Sequence, residues 1–185
     1  EPQFRFSMEG KPWSFIFWTR WKAITGKKFR LNIGGNTSVA FRNAVAYDRL
    51  GVAKDVLNPQ QFIASEWVPN YQLSEHVAIG AYYLVSHGLT PGSNNWTNFI
   101  TLNSTISNIP IGKSTFLRLY PQIYYLNIDH VDGFYTTATI TLTNKNLPFT
   151  ISSIVNRKIK SDIVSKDFLW NIQLAYTFNK RFRKN

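Results

Sequence analysis

The chain of 185 residues carries 21 Lys and Arg against 10 Asp and Glu, a formal net charge of +11, and it contains no cysteine. Without cysteine, disulfide frameworks, thiol catalysis and cysteine-ligated zinc are excluded. Charged residues make up only 17% and aromatics 16%, against about a quarter charged in an ordinary soluble domain. The basic residues are spread along the chain rather than gathered into the patch that nucleic-acid binding requires, so no nucleic-acid partner is expected.

In chain order, the first strand-like sequence appears at Phe4, directly after Glu1-Pro2-Gln3, with no visible signal peptide; the chain reads as a mature or truncated product. A short run over 3–9 alternates weakly. Trp13, Phe15, Phe17 and Trp21 then oppose Ser14, Arg20 and Lys22. Phe29, Leu31, Ile33, Val39 and Phe41 oppose Lys28, Arg30, Asn32, Asn36, Ser38 and Arg42. Spacing of two on each face is the signature of a strand. Gly34-Gly35 falls inside this run and predicts a bulge or bend. Residues 43–60 read as a long surface loop, although Ala46, Leu50, Ala53 and Leu57 have helical spacing. The run over 61–73 is interrupted by Glu66 and Pro69.

Beyond it, Val77, Ile79, Ala81, Tyr83 and Val85 oppose His76, Gly80 and Ser86. Ile100, Leu102 and Ile106 oppose Thr101, Asn103, Thr105 and Ser107. Leu117, Leu119, Ile123 and Tyr125 oppose Arg118, Gln122 and Tyr124. Phe134, Ala138, Ile140 and Leu142 oppose Tyr135, Thr137, Thr139, Thr141 and Thr143. Leu147, Phe149, Ile151 and Val155 oppose Thr150, Ser152, Asn156 and Lys158. Residues 76–112 hold no Asp, Glu, Lys or Arg, but Gly88, Pro91, Gly92 and Pro110 break the stretch too often for a membrane-spanning helix. The last run is the clearest: Phe168, Trp170, Ile172, Leu174, Tyr176 and Phe178 face one way, and Asn171, Gln173 and Thr177 the other.

About ten strands result, most of them about 11 residues or longer, which is the length a tilted strand needs to cross a bilayer. Short connections (Gly26-Lys27, Ser74-Glu75, Pro110 to Lys113, Asn144 to Pro148) alternate with mostly longer ones (Asn43 to Gln60, Gly88 to Trp96, Asp129 to Gly133, Lys160 to Asp167). Periplasmic turns and extracellular loops alternate in the same way. Gly10-Lys11-Pro12 is short where that scheme wants a long loop. The expected fold is all-β: an antiparallel up-and-down transmembrane β-barrel of about ten strands over 1–178, with more strands in the native barrel if this start is incomplete. Residues 179–185 would form a basic periplasmic tail.

The sequence leaves two orientations: a lipocalin-like barrel with apolar side chains inside, or a membrane barrel with them outside. Aromatics near strand ends (Trp13, Phe29, Trp170, Tyr176, Phe178) and a polar face rich in Thr, Ser and Asn favour the second. Arg20, Lys22, Lys28, Arg30, Arg42, Arg118 and Lys158, with Arg5, would then face the lumen, against Glu9, Glu66 and Asp129. A wide lumen so lined would favour anions. A narrow one would tie these residues into internal ion pairs, and ten strands lie near the filled limit.

Catalytic chemistry has thin support. Ser86 and His87 are neighbours, so in a strand they point to opposite faces. Asp129-His130 lacks the Asp-Asp pair that accompanies such a dipeptide in outer-membrane proteases. Three scattered histidines make no zinc site, and no cofactor is expected.

The run Trp170, Ile172, Leu174, Tyr176, Phe178 resembles the terminal signal by which outer-membrane proteins are recognised for insertion, except that Asn179 to Asn185 follow it here. Trp67-Val68-Pro69-Asn70-Tyr71, Tyr83 to Gly88, Pro121 to Leu126 and Pro148 to Ser153 resemble outer-membrane β-barrels of the Bacteroidetes. Those barrels are longer than this chain. The resemblance implies an outer-membrane location in a Gram-negative bacterium and a chain that is a C-terminal portion. The expected partners are the bilayer, lipopolysaccharide, the insertion machinery and outer-membrane proteins, with no nucleic acid. The functional expectation is a non-enzymatic structural or accessory subunit. A passive anion-favouring, porin-like channel comes second, and a lipid-directed enzyme using His87 or His130 third.

Overall fold

A computed structural model describes residues 2–7, 10–47 and 51–176. The alternating runs become ten strands: β1 (Pro2–Phe6), β2 (Pro12–Thr25), β3 (Phe29–Tyr47), β4 (Ala53–Gln72), β5 (Val77–Gly88), β6 (Trp96–Pro110), β7 (Thr115–Ile128), β8 (Val131–Asn144), β9 (Phe149–Ser161) and β10 (Phe168–Tyr176). Each pairs antiparallel with its sequence neighbours, giving one ten-stranded meander in the order β1 to β10. The sheet is all-β as expected, but it is not closed into a barrel: β1 and β10 do not pair with each other. Phe178 and residues 179–185 lie outside the described residues.

The sheet is staggered. One hydrogen-bonding row runs Arg30–Asn70–Gly80–Asn103–Gln122–Thr137–Asn156–Leu169. It enters at the second residue of β3 and reaches the eighth residue of β9. The register therefore slides by about one residue per strand, the kind of shear that tilted strands require.

The region read as a long loop, 43–60, is instead an extended hairpin. Every residue from Asn43 to Tyr47 pairs with one from Leu57 to Ala53. Of the residues with helical spacing, Ala46, Ala53 and Leu57 lie in this ladder, where Val45, Tyr47 and Val56 are β-formers, and Leu50 lies outside the described residues. Nor do Glu66 and Pro69 interrupt a strand, since β4 runs straight through both. Pro69 has no N–H to give to β5, and the β4–β5 ladder skips from Trp67↔Tyr83 to Asn70↔Gly80. Pro121 does the same to the β6–β7 ladder, which jumps from Asn103↔Gln122 to Ile106↔Leu119.

Of the bulge or bend expected at Gly34-Gly35, the bulge is not there; both glycines pair in register. Irregularities occur instead at Arg5/Phe6, Lys22/Ile24, Ile106/Ile109 and Phe134/Tyr135. Asn108, at φ 58°, supplies the left-handed residue of the third. The connection at Asp129 is shorter than expected, a two-residue turn of Asp129 and His130. Leu147 lies in the β8–β9 turn, not in a strand.

Burial is one-sided. The outer face carries the large exposed apolar side chains, among them Trp13, Trp21, Trp67, Ile100, Leu102, Trp170, Ile172 and Leu174. On the inner face lie all five of the buried side chains with recorded exposure, Asn36, Gln60, Glu66, Thr101 and Tyr135. The lipocalin-like alternative, with the apolar series packed inside, does not describe this sheet: away from its edge strands Ile100 and Leu102 are 43% and 58% exposed, while Thr101 between them is 2% exposed.

Candidate functional site

The inner face is built around Glu66. It is 1% exposed, and a buried carboxylate is tolerated only when paired and hydrogen-bonded. Arg20 Nε on β2 donates to Glu66 Oε1 at 2.5 Å, and Tyr82 Oη on β5 donates to Oε2 at 2.9 Å. Arg20 and Glu66 are not on adjacent strands. They meet across β3 at Gly34, which stands directly between them in the register. A Cβ at Gly34 would lie 2.8 Å from Glu66 Oε1, so the glycine is what lets the pair close. Arg20 also stacks over the Trp18 ring at 4.3 Å.

From Tyr82 an aromatic series crosses the sheet. Tyr82, Phe99, Tyr124 and Tyr135 follow one another on β5, β6, β7 and β8, with ring centroids 6.0, 5.5 and 4.9 Å apart. The last two rings are stacked at 14°, so they offer edges, not faces, to the space above the sheet. Tyr124 Oη accepts from Asn156 Nδ2 on β9 at 2.7 Å, and Tyr135 Oη lies 2.7 Å from Ser161 Oγ. Lys158 closes the series in a 2.5 Å ion pair with Asp167. A belt of bonded side chains thus spans from β2 to the β9–β10 connection.

A second row lies beside it, where Asn70 and Asn103 converge over Gly80. A Cβ there would stand 2.6 and 2.9 Å from their side-chain oxygens.

The register places Arg20, Lys22, Arg30, Arg42, Arg118 and Lys158 on the face of Glu66. Lys28 lies in the β2–β3 turn. They do not form one cluster: Arg20 is held by Glu66, Arg42 donates to Gln60, and Lys158 pairs with Asp167. Trp170, Ile172, Leu174 and Tyr176 share the opposite face, with Trp170 Nε1 donating to Ser153 Oγ.

His87 and His130 line one cavity of about 580 Å³ together with Asn95, Trp96 and Asp129. His87 Nδ1 lies 2.6 Å from the Asn95 carbonyl, and its ring packs 4.6 Å from that of Trp96. Asp129 accepts the backbone N–H groups of Asn95 and Trp96, tying the β5–β6 loop to the β7–β8 turn. Among the described residues no group of three or more His, Asp or Glu could hold a metal ion.

Reading the sequence alone put Glu66 on the lumen face as a counter-charge but treated it as a break in the run over 61–73, and missed it as the centre of the belt. The pairing with Arg20 and Tyr82 depends on register, which places Glu66 opposite Gly34 and Leu84. Neither protein-family profiles, nor curated proteins, nor solved structures contain a match to this chain.

Proposed function

We propose that the chain is a transmembrane β-barrel component of the outer membrane of a Gram-negative bacterium, acting without catalysis as a structural or accessory subunit of an outer-membrane complex. The observation that carries this reading is the outer face. Aromatics stand near its strand ends, Trp13, Trp96 and Phe168 at the long-loop edge and Phe29, Tyr71, Phe149 and Tyr176 at the short-turn edge, with others such as Phe17 and Tyr83 further in. Between them lie exposed aliphatics such as Ile63, Ile100, Leu102, Ile140 and Ile172.

Phe168 and Tyr176 are eight positions apart on β10. At about 3.3 Å per residue and a tilt of about 40°, eight positions rise about 20 Å. The apolar band of an outer-membrane barrel is about 25 Å tall. The strand lengths, the register shear and the tight turns along one edge support the same reading. Closure of the sheet is part of the proposal, since a bilayer leaves no solvent for an unpaired edge.

The belt from Arg20 to Asp167 weighs against an open anion path, because its cations are already engaged within the sheet. Lipid hydrolysis has less support, since among the described residues neither His87 nor His130 is hydrogen-bonded to a hydroxyl.

The test is membrane extraction. The full chain, expressed behind an outer-membrane export signal in a Gram-negative host, should resist alkaline carbonate and urea, leave only with detergent, and show heat-dependent mobility in electrophoresis. Release by carbonate would overturn the proposal.

A further inference from the structure

The β3–β4 hairpin outruns the sheet. The last β2–β3 pair at that end is Ser14↔Ala40 and β2 begins at Pro12, so from Asn43 to Tyr47 β3 runs past the end of β2 and pairs only with β4. On the other side β4 runs alone from Ala53 until Phe62↔Gly88.

These two edges are not equivalent. The Gln72 N–H donates to the Lys28 carbonyl, and the β3–β4 ladder is unbroken from there. Even-numbered residues of β3 therefore bond to β4. Phe41 turns toward Trp13 of β2, and beyond the end of β2 Asn43, Val45 and Tyr47 turn their N–H and C=O groups to the open side. By the same phase the open edge of β4 presents Ala53, Asp55, Leu57 and Pro59. Pro59 has no N–H to offer, Asp55 adds a charge, and the backbone of Gln61 is already bonded to Leu89 and Thr90. Proline and charge are the usual guards of a sheet edge. The β3 edge from Asn43 to Tyr47 has neither.

Below that edge, in line with β2, is a cavity of about 740 Å³ lined by Phe6, Pro12, Trp13, Phe41 and Arg42 among others. Arg5 joins Arg42 in an adjoining one of about 360 Å³. Arg42 donates to Gln60 and Arg5 to Gln3, both neutral amides. Among the described residues neither meets a carboxylate.

We infer that this notch binds an extended acidic segment of a partner protein, added as a strand to β3 above Pro12. Main-chain pairing with Asn43, Val45 and Tyr47 supplies affinity. Alternation supplies selectivity: side chains on the inner face meet Arg5 and Arg42, and those on the outer face meet Trp13, Phe41 and Val45. The inference names a partner for the accessory role and rests on that reading for its biological setting, though the notch itself needs no bilayer.

The probe is a fluorescein-labelled heptapeptide of alternating Val and Glu, with a Val and Lys counterpart, titrated by fluorescence anisotropy into the full chain in detergent micelles. The Glu peptide should bind about tenfold or more tightly than the Lys peptide. The double variant Arg5→Gln/Arg42→Gln should weaken it about tenfold or more, the scale of losing charge-assisted hydrogen bonds. Val45→Pro and, separately, Tyr47→Pro each remove a notch-facing N–H and leave the β3–β4 bonds in place; each should abolish binding with an unchanged circular dichroism spectrum. Equal affinity for both peptides, no saturable binding, or binding indifferent to either proline would overturn the inference. A chain that resists carbonate but ignores the peptide loses only the notch. A chain released by carbonate that still binds the peptide loses only the membrane role.

Discussion

Removing the Glu66 carboxylate is the most informative single perturbation. Glu66→Ala deletes the acceptor for Arg20 Nε and Tyr82 Oη at once. Breaking a buried ion pair from one side typically costs about 3–5 kcal/mol, because the remaining charge is stranded. Here the remaining charge is not fully stranded: the Arg20 side chain is 41% exposed and can recover water. Discounting for that leaves about 1.5–2 kcal/mol for the charge-assisted bond and about 1 kcal/mol for the tyrosine bond, roughly 2.5–3 kcal/mol in all. The assay is equilibrium urea unfolding in micelles followed by tryptophan fluorescence, run as a double-mutant cycle of Glu66→Ala with Arg20→Gln. A coupling of about 1 kcal/mol or more is expected. Coupling below about 0.3 kcal/mol, the level of independent sites, would refute the claim that these residues hold the inner face together.

Three further outcomes follow from the same geometry. Gly34→Ala pushes a methyl to 2.8 Å from Glu66 Oε1 and 3.0 Å from the Thr19 carbonyl, and should cost about 2 kcal/mol in the same unfolding assay; a neutral result would mean the Arg20–Glu66 pair does not need the saddle. His130→Gly relieves a non-glycine residue at φ 76° in a two-residue hairpin turn, and should stabilise by about 1 kcal/mol; destabilisation would point to a contact made by the imidazole. Ile172→Arg, at a 63% exposed outer position, should lower folding efficiency into lipid vesicles by about 2–4 kcal/mol equivalent, whereas Gln173→Arg on the other face should not. Equal, small effects of both would indicate that the outer face meets water.

Strand identity was legible in the sequence wherever side chains alternate by chemistry, as in Phe134 to Thr143 or Phe168 to Tyr176. It failed where two strands leave the sheet together. Around Asn43 and Leu57 both faces of the hairpin are exposed, so nothing selects apolar from polar and the period of two disappears. Pro69 misled for a different reason: proline argues against a central strand, but here it faces a gap in one ladder while the other stays complete. The belt was only half readable. Lumen-facing parity put Arg20 and Glu66 on one side, yet their meeting depends on Gly34 lying between them, a fact of register rather than of local sequence. The Gly34-Gly35 pair signalled a special backbone site correctly but suggested the wrong cause, a bulge in place of a close approach.

The edges of the sheet add one more constraint. β1 is short and carries Pro2 and Arg5, features that discourage pairing. β10 carries nothing of the kind: Phe168 to Tyr176 has no proline, no charge and no bulge, and its residues pair one for one with β9. A strand so unguarded would recruit other chains in water, and in lipid the outward N–H and C=O groups of Phe168, Trp170, Ile172 and Leu174 would need partners, at a cost of several kcal/mol apiece if left without. Both solvents therefore penalise a bare β10, and only another strand can satisfy extended backbone along its whole length. A membrane role for this chain requires that β10 be an interior strand of the finished assembly. Blocking it should then be as damaging to assembly as any change to the belt.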